Sequence, residues 1–259
     1  MTLPLRHQQE HVSADAVDQL GLAADVDAVA VGPGHGPTDG TRAVVDHLRA
    51  TADRLVLDAD AINVHRDDPA TLADHHGALV LTPHERELAR LGGGEDGPDA
   101  WANRAERLPR LAEDLGAVIV AKGPTTVVAA PGGLCLVVPV GGPELGTGGT
   151  GDVLAGMIAA HVAAVPADQR VAIAAAAARA VFLHAFTGAW LASGRPDAEA
   201  LVRRFDTLDG RNRRSNGFDR ATSAGFGPSS ALPEALPDAA RVLTELAAVR
   251  PAWPFRSPR

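Results

Sequence analysis

The run Gly148-Gly149-Thr150-Gly151-Asp152 stands directly before an apolar stretch, 153–160, that has the look of a helix. Glycines let a backbone turn so that several N–H groups point into one concavity, and a helix N-terminus adds partial positive charge there. Gly149, Thr150 and Gly151 therefore form a candidate anion hole, suited to a phosphate or to charge that develops during phosphoryl transfer. Asp152 falls in the first helical turn, where a carboxylate could take the proton of a substrate hydroxyl. A plain helix cap would look the same, and this segment by itself leaves both readings open.

The chain has 24 Lys and Arg residues, and Lys122 is its single lysine. It opens the run Lys122-Gly123-Pro124-Thr125-Thr126 after an apolar segment, where a compact ammonium on a flexible stem suits a phosphate; chance placement is the competing account. Gly32-Pro33-Gly34-His35-Gly36 ends another apolar segment and invites close backbone approach to a ligand or simply a tight turn. Its spacing does not fit a dinucleotide fingerprint. In Thr82-Pro83-His84-Glu85 the imidazole could meet a ligand, whereas Thr82 with Glu85 also fits a capping box. Asp58 and Asp60 are either a cleft-facing pair or, for Asp58, the cap of the next helix. His75-His76 lacks a second pair at metal spacing and reads as surface; Cys135 reads as packing.

These residues need elements to hold them. Apolar runs at 27–31, 55–57, 78–81 and 117–120 predict four strands, and each ends in one of the polar or glycine-rich loops above. Helices are expected at 38–52, 99–115, 150–164, 167–192 and 233–249, and a hairpin over 125–138 turning at Pro131-Gly132-Gly133. Strands alternating with helices predict a mainly parallel central sheet with helices on both faces. Ligands of such sheets sit beyond the carboxyl ends of the strands. Segment 203–230 reads as a flexible insertion and 250–259 as a frayed tail, within one domain spanning 1–259.

Composition narrows the partners. With 46% hydrophobic and 3% aromatic residues the core is aliphatic, and the net charge of −8 argues against nucleic acid or an anionic membrane. No apolar run is expected to reach membrane-spanning length, the best candidate being 171–186. One cysteine and no apolar leader predict a cytoplasmic protein.

Five words in order, Val31-Gly32-Pro33-Gly34-His35-Gly36, Leu57-Asp58-Ala59-Asp60-Ala61-Ile62-Asn63, Leu81-Thr82-Pro83-His84-Glu85-Arg86-Glu87-Leu88, Ala121-Lys122-Gly123 and Gly148-Gly149-Thr150-Gly151-Asp152-Val153-Leu154-Ala155-Gly156, resemble those of the ADP/ATP-dependent NAD(P)H-hydrate dehydratases. The resemblance implies a ribokinase-like three-layer αβα fold and a carbon–oxygen lyase that repairs nicotinamide cofactor. The ring hydroxyl of hydrated NADH or NADPH is phosphorylated, and loss of phosphate restores the double bond. By position, Gly36, His84 and Asp152 would contact the hydrated cofactor, with Asp152 as base. Lys122, Gly123, Pro124, Thr125, Thr126 and Gly151 would line the ADP/AMP site. ADP as co-substrate, Mg²⁺ without assignable ligands, and a homo-oligomer are implied too.

The chain departs from the family pattern at its N-terminus, where the usual first strands are lacking, and at Gly142-Pro143-Glu144 in place of Asn-Pro-Gly. An N-terminally truncated chain is expected to be marginally stable or self-associating, because a sheet flank stands open. The competing functions are a catalytically impaired nucleotide-binding remnant and a vitamin-precursor kinase of the same superfamily.

Overall fold

The computed structural model describes residues 5–8, 11–93, 104–201 and 231–249. Six strands form the central sheet: β3 (Val29–Val31), β4 (Arg54–Leu57), β5 (Ala78–Leu81), β6 (Val118–Ala121), β7 (Thr126–Ala130) and β8 (Leu134–Val138), in that spatial order. The pairs from β3 to β6 are parallel, and β6-β7-β8 is antiparallel. Two short strands before it, β1 (His7–Gln8) and β2 (His11–Val12), pair antiparallel with each other.

All four predicted parallel strands and the hairpin are present, and the reason is visible in their burial. Leu55 and Leu57 point into one apolar cluster with Leu79, Leu81 and Ile119. Val56, Val80 and Val120, one residue out of phase, are buried as well. Side chains alternate across a strand, so both sheet faces are covered, as uninterrupted apolar runs require.

Helix α1 (Asp39–Thr51) lays Val44, Val45 and Leu48 on that cluster and is capped by Thr38, whose hydroxyl accepts the Thr41 amide at 3.3 Å. Helix α4 (Arg104–Asp114) adds Leu108, Leu111 and Ala112. The caps considered at Asp58 and Thr82 stand just before two short helices, α2 (Asp60–Asn63) and α3 (Glu85–Arg90), whereas a twelve-residue 3₁₀ helix at Ala14–Asp25 was not expected. The helices α5 (Thr150–Ala163) and α6 (Arg170–Ala192) follow the hairpin, and a last helix covers Ala231–Val249. The insertion read at 203–230 and the tail at 250–259 lie outside the described residues.

The chain groups into two compact units, Met1–Pro139 with Leu154–Val181, and Val140–Val153 with Phe182–Arg259. The first holds the sheet. In the second, Phe186, Trp190, Leu201, Ala235, Ala239 and Val242 form their own buried cluster. Trp190 satisfies its indole N–H on the Pro196 carbonyl at 2.7 Å, which lets a large amphipathic ring sit in an apolar core.

Helix α6 corrects one expectation. Its 23 residues, with a mean hydropathy of 1.5 over the most apolar window, are long and apolar enough to cross a membrane, and 61% of that window is buried inside the protein. The apolar run was expected to span only 171–186 within the helix expected at 167–192, and the whole helix passes the length it was expected to miss. Buried Ile173, Ala174, Ala177 and Val181 show this apolar length packing into protein.

Candidate active site

Four loops leave the carboxyl ends of adjacent parallel strands in the first unit, and they carry Gly32 to Gly36, Asp58 to Asp60, Thr82 to His84, and Lys122. Backbone bonds stitch the loops together. The Asp58 amide donates to Val31 O at 3.1 Å, Thr82 N to Leu57 O at 3.0 Å, and Lys122 N to Pro83 O at 2.9 Å.

Asp58 lies at the centre of this edge and is 2% exposed. Its Oδ1 accepts the Lys122 ammonium at 2.6 Å and the Thr82 hydroxyl at 2.7 Å. The residue after it, Ala59, holds φ 47° and ψ −117°, a region non-glycine residues rarely occupy. Gly32 faces this bend: a Cβ there would stand 1.8 Å from the Asp58 carbonyl oxygen. Close approach of two backbones, not of a ligand, is therefore what that glycine permits.

Gly36 is buried, donates its amide to Asp60 Oδ2 at 2.9 Å, and has the ring of His11 where a Cβ would stand. Beside it, burial holds the His35 imidazole below its ordinary pKa, against the opposing pull of Asp60. Its Nδ1 is buried without a hydrogen-bond partner among the described residues.

The capping box expected of Thr82 and Glu85 is set two residues later. His84 is the N-cap of α3: its Nδ1 accepts the amides of Arg86 and Glu87, while Glu87 Oε2 accepts the His84 amide at 2.8 Å. Thr82 is unavailable for capping because its hydroxyl serves Asp58. The half-exposed His84 ring thus carries its proton on Nε2, 3.4 Å from Glu87 Oε1. Burial pushes the Glu87 carboxyl up, against the His84 amide and the nearby Lys122 charge.

Gly123, Pro124 and Thr125 follow Lys122 as an irregular turn, Gly123 and Pro124 exposed, and Thr126 opens β7. The structure thus brings Gly36, His84 and Lys122 to one sheet edge, together with the buried Asp58 that local spacing had left undecided.

The remaining site residues lie in the second unit, where Gly149 takes φ 88° at the mouth of α5. Thr150 is buried and donates its hydroxyl to the carbonyls of Leu145 at 2.7 Å and Thr147 at 2.8 Å. Buried His184 donates from Nε2 to the Thr150 carbonyl at 3.0 Å. The Val153 amide starts the helical ladder on Gly149 O, so helix geometry leaves the Gly151 and Asp152 amides without an intrahelical acceptor. Asp152 is exposed. This turn offers a carboxylate and two amides at a rigid helix start; the Thr150 side chain braces it rather than facing a ligand.

Among the described residues no group of three or more His, Cys, Asp or Glu gathers to hold a metal ion. A cavity of about 610 Å³ lies elsewhere in the first unit, lined by Arg42, Asp46, Arg49, Thr71, His75 and His76 among others. Its guanidinium groups already serve Asp46, Thr71 and nearby carbonyls. Cys135 is partly buried, and burial pushes its thiol up, in keeping with a packing role.

Comparison with known proteins points the same way. The family model described as NAD(P)H-hydrate dehydratase matches residues 2–196. The bifunctional NAD(P)H-hydrate repair enzyme Nnr of Moorella thermoacetica is 38% identical over 182 residues, covering 68% of this chain and 33% of that protein. The Nnr of Salinibacter ruber is 43% identical over 160 residues, 60% of this chain and 29% of that protein. The chain thus spans about a third of the length of these curated relatives. Among solved structures, Bacillus subtilis YxkO, of the UPF0031 family, aligns with a TM-score of 0.57 at 29% identity, over 86% of this chain and 72% of that one. A Bacillus subtilis ADP/ATP-dependent NAD(P)H-hydrate dehydratase, co-crystallised with ATP/Mg²⁺ and soaked with CoA, aligns with a TM-score of 0.55 at 26% identity, over 89% and 78%.

Proposed function

Because the chain belongs to the NAD(P)H-hydrate dehydratase family, we propose that it repairs hydrated nicotinamide cofactor at the expense of ADP. The ring hydroxyl of (6S)-NADHX or (6S)-NADPHX attacks the terminal phosphorus of ADP, its proton passes to Asp152, and AMP departs. The carbon–oxygen bond then breaks, phosphate leaves, a ring proton is released and the double bond of NADH or NADPH returns.

The observation that carries this function is the exposed Asp152 carboxylate in the first turn of α5, beside amides that have no intrahelical acceptor. A base and a fixed set of N–H donors at one helix start are what alcohol phosphorylation requires. Lys122 supplies a cation for the nucleotide phosphates, with Gly123, Pro124, Thr125 and Thr126 beside it, and Gly151 offers the nucleotide its amide at the start of α5. His84 offers its Nε2–H to the hydrated cofactor. Gly36 contributes by keeping its loop closed on Asp60 and His11.

Support for an adenine nucleotide with Mg²⁺ comes from the Bacillus subtilis neighbour, which was co-crystallised with ATP/Mg²⁺. Since the described residues gather no carboxylate cage, the ion would be held mainly by phosphate oxygens and water, as Mg²⁺ commonly is. A cytoplasmic, self-associating protein working as one domain over 1–259 fits this role. The test is the return of NADH absorbance when hydrated NADH is mixed with ADP, Mg²⁺ and protein. Wild type is expected to turn over and Asp152→Asn to lose roughly 100-fold or more of the rate; equal rates would remove Asp152 from the chemistry.

A further inference from the structure

We propose that Asp58 is a positioning residue of the nucleotide site: from its buried place it holds the Lys122 ammonium, with Thr82 bracing the same carboxylate, at the edge where a phosphate of ADP binds. This rests on Lys122 being a nucleotide contact.

A lysine stem has many rotamers, so a free ammonium would lose affinity in becoming ordered on a ligand. Here the ordering is built into the fold. Asp58 is 2% exposed, and its Oδ1 lies 2.6 Å from Lys122 Nζ and 2.7 Å from Thr82 Oγ1. The three side chains come from the ends of β4, β5 and β6, which are adjacent strands, so the sheet itself fixes their spacing. The Lys122 side chain keeps 20% of its surface. Asp58 is its one hydrogen-bond partner among the described residues and takes one of three donors, leaving two for a ligand.

The residue type fits this division of labour. An arginine would tend to pair both arms of its planar fork with the carboxylate. A tetrahedral ammonium instead grips one oxygen and presents the rest outward, and lysine occurs in this chain only here. The strained Ala59, at φ 47°, fixes the turn that follows Asp58; such a conformation persists only where the surroundings impose it.

The test is a double-mutant cycle in ADP affinity, measured by calorimetry with Mg²⁺ on wild type, Asp58→Asn, Lys122→Met and the double variant. Each single variant is expected to weaken ADP roughly tenfold, about 1.4 kcal/mol, and the double variant to bind no worse than Lys122→Met alone. Nζ-¹⁵N lysine labelling gives one resonance, which ADP should shift in wild type and leave unmoved in Asp58→Asn. Should Asp58→Asn fail to fold, Thr82→Val serves, with a smaller weakening that vanishes when Lys122 is Met. Wild-type affinity in Asp58→Asn, or in Thr82→Val where it stands in, overturns the proposal, as does a loss that persists undiminished beside Lys122→Met. If Lys122→Met binds ADP as wild type does, the nucleotide role of Lys122 fails and this proposal falls with it. If wild type itself binds no ADP, the proposed function fails first.

Discussion

Asp60 Oδ2 accepts the amide hydrogen of Gly36 at 2.9 Å, tying the loop after β3 to the loop after β4 across 24 residues of sequence. Together with the contact of Gly32 on the Asp58 carbonyl, this closes two neighbouring strand-end loops on each other before any ligand arrives.

Gly32 is the most demanding point of that closure. It holds φ +130°, and a Cβ would lie 1.8 Å from Asp58 O and 2.8 Å from the Ala61 methyl carbon. Gly32→Ala is expected to destabilise the fold by about 3 kcal/mol or more, through a clash with backbone and a conformation that alanine avoids. Denaturant melts of the two proteins check this; Gly34→Ala, where nothing lies within 4 Å of the Cβ position, should cost less.

His65 predicts an acid-sensitive fold. Burial, and secondarily Arg42, hold its imidazole down at about 4, against the pull of Asp46. The folded state therefore keeps His65 neutral while the unfolded chain takes up a proton below 6.5. Stability from this group is present above pH 6.5 and lost as pH falls toward 4, with a slope of up to about 1.4 kcal/mol per unit. His65→Asn should be less stable at pH 7 but flatter between pH 7 and 5 in chemical denaturation. Identical slopes would refute the assignment.

Glu87 has the opposite sign. Burial raises its folded pKa above the ordinary 4.5, so its contribution is fully present below pH 4.5 and declines as pH rises through the raised value. Glu87→Gln keeps an acceptor for the His84 amide and removes the titration. The melting temperature of wild type minus that of Glu87→Gln is expected to fall as pH rises from 4 to 7; a constant difference would show that the carboxyl ionises without penalty.

Much of this framework can be read from sequence because it is local. Continuous apolar runs marked β4, β5 and β6 as strands buried on both faces, and each run ended at the loop residue that lies at the sheet edge. What escaped was nonlocal. Spacing alone paired Thr82 with Glu85, but the Thr82 hydroxyl answers to Asp58, 24 residues away, and the cap passes to His84. Lys122 stood out as the only lysine, yet its partner lies 64 positions earlier, beyond any periodicity. The strained φ of Ala59 sits on a residue whose type signals no turn. The helix at 167–192 was legible, but its apolar run was bounded at residue 186, short of the length over which α6 proves apolar enough to cross a membrane.

The central claim is that a phosphoryl group passes from ADP to the hydrated cofactor before water is formally lost. Phosphorus NMR on a mixture of hydrated NADH, ADP, Mg²⁺ and the protein measures this directly. The account predicts one AMP and one inorganic phosphate for each NADH recovered, none without the hydrated substrate, and both suppressed together in Asp152→Asn. NADH that returns while ADP stays intact would contradict it.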